Sequence, residues 1–145
     1  MRLEPLYRVR FTTPEAWSVE IAAGAGSQSF LIAEGRCEGV VDGRYRGANF
    51  PQRRPDGTTA PDVRGVLETD DGATILFAWS GLGRRAAGGG LELVGSMTHV
   101  SDDERCSWLN DRVCAIAGAV HPRQDDPGFD VVLEIADLAW EPLVA

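Results

Sequence analysis

Apolar and polar residues alternate with period two along most of the chain. Tyr7, Val9 and Phe11 alternate with Arg8, Arg10 and Thr12, the mark of a strand with one buried face. Pro14 closes that strand, and Trp17, Val19 and Ile21 alternate with Ser18 and Glu20 in a second. A turn at Gly24-Ala25-Gly26-Ser27 precedes strands over residues 29–33 and 35–41. Asp42-Gly43 is a hairpin signal before Arg44-Tyr45-Arg46. The clearest hairpin runs from residues 63–69 through Asp70-Asp71-Gly72 to residues 74–80. After a glycine-rich connection the pattern predicts strands over residues 91–99 and 112–119. A turn at Asp125-Asp126-Pro127-Gly128 leads to the last strand, 129–136. Turns recur about every ten residues, the spacing of sandwiches and barrels.

This pattern defines an all-β fold of one domain over residues 1–145. It is a closed or nearly closed antiparallel β-barrel of about 8–10 strands. An open sheet of that width leaves unpaired backbone groups at its edges, and closure removes them. Two packed sheets are the competing solution, which periodicity does not separate from a barrel. At most one or two short helices fit, near residues 14–16 or 102–106. Residues 47–61 are polar and rich in Pro and Arg, a loop that crosses the surface or folds over a barrel mouth.

Composition narrows the partners. The formal net charge is −8, so phosphate backbones and anionic membranes meet an unfavourable average field. Neither nucleic acid nor membrane is expected as a partner. All 14 basic residues are arginine, and a guanidinium inside a pocket is a candidate anion clamp. Cys37, Cys106 and Cys114 show no paired spacing and suit packing in a reducing cytoplasm. The N-terminus lacks an apolar signal region, and no run approaches the roughly eighteen apolar residues of a membrane span. Cytoplasmic location is the expectation.

Several residues carry candidate chemistry. His99 ends a strand before Asp102-Asp103-Glu104, so a His–carboxylate pair would make a general base. Glu68 interrupts an apolar alternation, and in a lumen desolvation would raise its pKa. The alternative is a surface pair with Arg64, which shares its face of the strand. Trp108 and Asn110 alternate to one face, joining a stacking surface to an amide that donates and accepts. Trp79 shares a face with Ile75 and Phe77 and suits the core or a pocket wall. Asn49, Arg53 and Arg54 sit in the polar loop; if it caps the barrel, Asn49 and Arg54 would face a ligand, with Arg54 binding a carboxylate, enolate or phenolate oxygen. Two distant histidines make no metal site, and no phosphate-loop, dinucleotide or nucleophile-elbow motif is present.

The segment from Arg64 to Ala73, with its Thr69-Asp70-Asp71-Gly72-Ala73 turn, resembles a hairpin of the domain-of-unknown-function family 3237. Leu3-Glu4-Pro5-Leu6, Gly47-Ala48-Asn49, Arg54-Pro55-Asp56-Gly57 and Trp108-Leu109-Asn110 are similar in order and spacing. The resemblance implies a lipocalin-like β-barrel and no general activity. Two positions depart from the family pattern. Asn49 stands where the family often has Asp, and Cys106-Ser107 where it has an aromatic residue.

The function expected is binding of a small apolar or aromatic metabolite inside the barrel. Catalysis without a cofactor, of isomerase, cyclase or lyase type, would use Glu68, His99 and Arg54, with Asn49, Trp79, Trp108 and Asn110 binding the substrate. A non-catalytic carrier is the alternative. A homodimer could cover residual edges.

Overall fold

Alternating side chains build ten strands and one turn of 3-10 helix in the computed structural model, which describes residues 1–22, 26–124 and 128–144. The strands are β1 (Arg2–Ile21), β2 (Gly26–Gly39), β3 (Gly43–Asn49), β4 (Gln52–Arg53), β5 (Thr59–Ala60) and β6 (Asp62–Thr69). They continue as β7 (Thr74–Arg85), β8 (Leu91–Val100), β9 (Cys114–Pro122) and β10 (Phe129–Ala139). The 3-10 turn, Ser107–Asp111, lies between β8 and β9. The turns read at Gly24-Ala25 and at Asp125-Asp126-Pro127 lie outside the described residues.

Every pairing is antiparallel, and the ring closes because β1 pairs with both β10 and β2. Its circuit is β1, β2, β3, β6, β7, β8, β9, β10 and back to β1, an up-and-down barrel of eight staves that is not evenly round. The closed or nearly closed antiparallel barrel expected from the alternation is the one found. Closure leaves no long edge to recruit another chain.

Two short strands complete the wall at one end. β3 and β6 pair from Gly43↔Thr69 to Asn49↔Val63, and there the hairpin ends. Beyond it β4 takes the place of β3 beside β2, and β5 takes the place of β6 beside β7. Asn49 secures the kink: its Oδ1 accepts the Asp62 N–H at 3.1 Å, beside the Phe50 N–H to Asp62 carbonyl bond at 2.9 Å. Pro51 and Pro61 flank the break without needing a ladder donor there. The polar segment over residues 47–61 is therefore part of the barrel wall at its mouth, with Pro55-Asp56-Gly57 as the turn between β4 and β5.

The first strand differs from expectation in an instructive way. Pro14 does not end it. The β1–β2 register slips between Thr12 and Glu15, a bulge that reverses the parity of inward positions. Before the bulge Tyr7, Val9, Phe11 and Thr13 point in; after it Ala16 and Ser18 do. Trp17, Val19 and Ile21 consequently lie outside, each at least half exposed, with Trp17 stacked on Phe30 at 5.5 Å. Residues 29–33 and 35–41, expected as two strands, are mostly one continuous β2.

The opposite end is plugged. Leu109 of the 3-10 turn is fully buried, and Cys106 just before it is buried too. Above this plug the interior is filled by Tyr7, Val9, Leu67, Ile75, Leu133 and Ile135. Each large side chain so buried stabilises the fold by about 1.5–3 kcal/mol relative to exposure. All three cysteines are buried free thiols, and burial pushes Cys37 and Cys114 up to about 11, so neither is a thiolate at neutral pH.

A cavity at the open end of the barrel

An aromatic layer divides the interior. Tyr45 stacks between Phe11 and Phe77, at 4.9 and 4.8 Å between ring centres, and its hydroxyl accepts a hydrogen bond from Trp79 Nε1 at 3.1 Å. The layer is tight because Gly65 stands beside it. A Cβ at Gly65 would lie 2.6 Å from the Phe77 ring. Burial keeps the Tyr45 hydroxyl protonated, raising its pKa against a smaller opposing effect of the Trp79 bond.

Above this floor lies a cavity of about 460 Å³. Its apolar wall comes from inward positions of five long strands: Phe11, Trp79, Leu93, Val120, Phe129 and Val131. Its other side is polar and comes from the post-bulge part of β1, from β2, and from β3, β4 and β5: Ser18, Ser27, Ser29, Asn49, Arg53 and Thr59. Register accounts for this grouping. Arg53 pairs with Ser27 on one side and Thr59 on the other, so guanidinium and two hydroxyls form one row. Ser18 Oγ and Ser29 Oγ are hydrogen-bonded at 2.6 Å in the adjoining pair.

Of the residues singled out by sequence, Trp79 and Asn49 line this cavity. The others lie elsewhere. Arg54 follows Arg53, so strand alternation turns it to the outer face. There it borders a broader surface groove of about 1150 Å³, with Phe50, Leu82 and Val94. That groove is larger, but it lies on the outside of the wall; the enclosed cavity is the better ligand site because several strands surround its contents. Glu68 also faces out, bonded to Arg46 at 2.9 Å with both side chains about half exposed. The surface position of the alternative reading is the one found, but the partner is Arg46 of β3, not Arg64.

Trp108 and Asn110 are at the plugged end. They sit in a 3-10 turn, where alternation does not apply, and the residue between them, Leu109, points inward. Trp108 is 41% exposed. Asn110 clamps the plug to β8: its Oδ1 accepts the Ser101 N–H at 2.8 Å and its Nδ2 donates to the Ser101 carbonyl at 2.9 Å.

His99 is in the interior, only 1% exposed, but its partner is no carboxylate. Asp103 is held by Arg105, whose side-chain hydrogen bond keeps that carboxyl well below its usual range. The neighbour of His99 Nε2 is Tyr7 Oη, at 2.6 Å. Desolvation lowers the imidazole to about 4 and raises the Tyr7 phenol well above its ordinary value, so both are neutral at pH 7. Neither member of the pair lines the cavity; His99 is opposite Phe77 of the aromatic layer, and Met97 is opposite Trp79.

Sequence reasoning placed Arg53 in the polar loop but gave the ligand role to Arg54, and it passed over the serine row and any role for Tyr7. Tyr7 was legible as an inward position of the first alternation. Arg53 needed the register of β4, a two-residue strand with no periodicity of its own. Among the described residues, no cluster of His, Cys, Asp or Glu has the arrangement of a metal site. No helix among them is long and apolar enough to cross a membrane.

An eight-staved up-and-down barrel, plugged at one end and hollow at the other, defines the class. Within it, the chain belongs to the family described as protein of unknown function (DUF3237), whose model matches residues 1–137. A β-barrel-like protein of Acinetobacter baumannii is similar at 22% identity over 93% of this chain and 95% of that one, with a TM-score of 0.74. A Clostridium acetobutylicum protein of unknown function aligns over 96% and 100% of the two chains at 16% identity, TM-score 0.81. A Penicillium herquei protein described as an enzyme aligns over 92% and 93% at 23% identity, TM-score 0.66. Likeness at these identities establishes the fold. No curated protein matches the chain.

Proposed function

We propose that the barrel binds a small, largely apolar or aromatic metabolite in the cavity at its open end. The cavity itself carries this reading: about 460 Å³, floored by Trp79 and Phe11, walled by Leu93 and Val131, and polar along one side. Small-molecule sites typically occupy roughly 300–1,000 Å³ with mostly apolar walls and a few placed polar groups. The test is NMR titration of the protein with a neutral aromatic probe, 2-naphthamide. Binding in the cavity shifts the methyl signals of Leu93 and Val131, and Leu93→Trp, which fills the space, abolishes the shifts. Absence of binding by this probe and by its carboxylate counterpart 2-naphthoate, or shifts confined to Leu82 and Val94 on the outer groove, overturns the proposal.

Cofactor-independent catalysis of isomerase, cyclase or lyase type is the second reading. Arg53 and Asn49 favour it, since both could stabilise an oxyanion developing on a bound carbonyl or phenol. The similar Penicillium herquei protein is itself an enzyme. Against it stands the lining: Arg53 is the one ionisable side chain among the described residues of the cavity, and no general base accompanies it. Binding without turnover is the function this geometry supports best.

A further inference from the structure

Arginine elsewhere in this protein is largely spent on the exterior. Arg8 pairs with Glu134, Arg36 with Asp70, Arg46 with Glu68, Arg84 with Glu92 and Arg112 with Asp137. Arg10, Arg53, Arg54, Arg64 and Arg85 have no ion pair and no side-chain hydrogen bond among the described residues, although the chain carries a formal charge of −8; of these five, Arg53 alone lines the cavity. Among the described residues, no acidic side chain lines the cavity it faces. The hydroxyls of Ser27 and Thr59 flank it across β2 and β5, and all three line the same wall.

Resting on the cavity reading above, we infer that the ligand is an anion: an apolar ring or chain bearing one carboxylate, held at the Ser27–Arg53–Thr59 row. The guanidinium presents parallel N–H donors matched to the two oxygens of a carboxylate. The neighbouring hydroxyls donate to the remaining lone pairs. The apolar body of the ligand extends toward Trp79, Leu93 and Val131, which offer contact area and no competing charge. The direction of the ligand follows from this division: charged group at the β4–β5 side of the mouth, hydrocarbon toward the aromatic floor. Placing the lone cation of the cavity at its rim keeps it partly hydrated when empty, so no buried charge is left unpaired in the free protein.

A matched pair of probes tests this, 2-naphthoate and its neutral isostere 2-naphthamide, titrated by calorimetry at pH 7.5. Wild type binds the carboxylate at least about tenfold more tightly, the scale of one hydrogen bond to a charged group. That preference falls to near parity in Arg53→Gln, persists in Arg54→Gln, and weakens as salt rises from 20 to 300 mM on the order of a Debye screening effect. Circular dichroism and the thermal midpoint establish that Arg53→Gln is folded; its side chain makes no contact the fold requires. Equal affinity for both probes in wild type, or a preference that survives Arg53→Gln, overturns the anion inference while the cavity proposal stands. Failure of both probes to bind overturns the two together.

Discussion

Tyr7 Oη and His99 Nε2 meet at 2.6 Å in the closed half of the barrel, and the same hydroxyl lies 3.5 Å from Met97 Sδ. The other imidazole nitrogen, Nδ1, has no partner among the described residues. These contacts decide where the proton sits. If Tyr7 donated to Nε2, the ring would carry its hydrogen on Nδ1, as a buried donor with nothing to receive it. If Nε2–H donates to Tyr7, the phenol donates onward to Met97 and only a lone pair is left unmet. A stranded lone pair is more readily tolerated than a stranded N–H. His99 is therefore the Nε2–H tautomer, and ring ¹⁵N chemical shifts will show it.

The same burial makes stability pH-dependent. Desolvation holds His99 at about 4 in the folded chain, against an ordinary 6.5. Between those values the unfolded chain binds a proton that the native state does not. Stability from this group is complete above about pH 6.5 and is lost as pH falls through the window, by roughly 3 kcal/mol at 1.36 kcal/mol per pKa unit. Urea titrations from pH 4.5 to 7 will show the acid-side slope flattening in His99→Met. An unchanged slope would assign the dependence to carboxylates instead.

Removing both members of the pair should cost less than the two single losses added together. Tyr7→Phe strands the Nε2–H in an apolar interior, a loss of about 1–3 kcal/mol. In Tyr7→Phe with His99→Met no buried donor remains, and the double variant should be less destabilised than the sum of the singles by about 1 kcal/mol or more. Strict additivity in denaturant midpoints would show that the two groups are not coupled.

Sequence alternation was enough for most of the strands, because period two directly records which face is buried, and the closed antiparallel ring followed from the further argument that closure removes unpaired edges. It was enough for Trp79, whose inward parity follows from Ile75 and Phe77. It misplaced Trp17, since one extra residue near Pro14 inverts every later position of β1 and leaves no trace in composition. Arg54 was chosen over Arg53 for a similar reason: the two differ by one residue, and only the pairing of β4 with β2 and β5 says which points inward. Glu68 belongs to a strand whose outer face is polar, and Arg46, which neutralises it, comes from a neighbouring strand that local pattern does not locate. Trp108 and Asn110 were read with the period of a strand when their backbone coils.

That last correction has a consequence at the plugged end. Asn110→Ala removes both bonds to the backbone of buried Ser101 and leaves its N–H and carbonyl to find water. The expected loss is about 1–2 kcal/mol in urea denaturation. Affinity for 2-naphthoate should be unchanged, because the clamp is at the far end from the cavity. A large loss of binding with intact stability would return Asn110 to the ligand site.

Asn49 joins scaffold and cavity, and one substitution separates the two roles. Its Oδ1 accepts the Asp62 N–H where β3 gives way to β4, while the same residue lines the ligand space. Asn49→Asp keeps an oxygen acceptor in that place, so the kink should persist and stability should change by no more than about 1 kcal/mol. The new carboxylate, however, faces the same space as Arg53 and competes for its guanidinium, so affinity for 2-naphthoate should fall several-fold while 2-naphthamide is little affected. Asn49→Ala should do the reverse: the Asp62 N–H loses its acceptor, the denaturation midpoint falls, and the preference for carboxylate over amide remains. If Asn49→Asp left naphthoate binding untouched, Asn49 and Arg53 would not share one ligand field, and the polar side of the cavity would have to be divided between separate tasks.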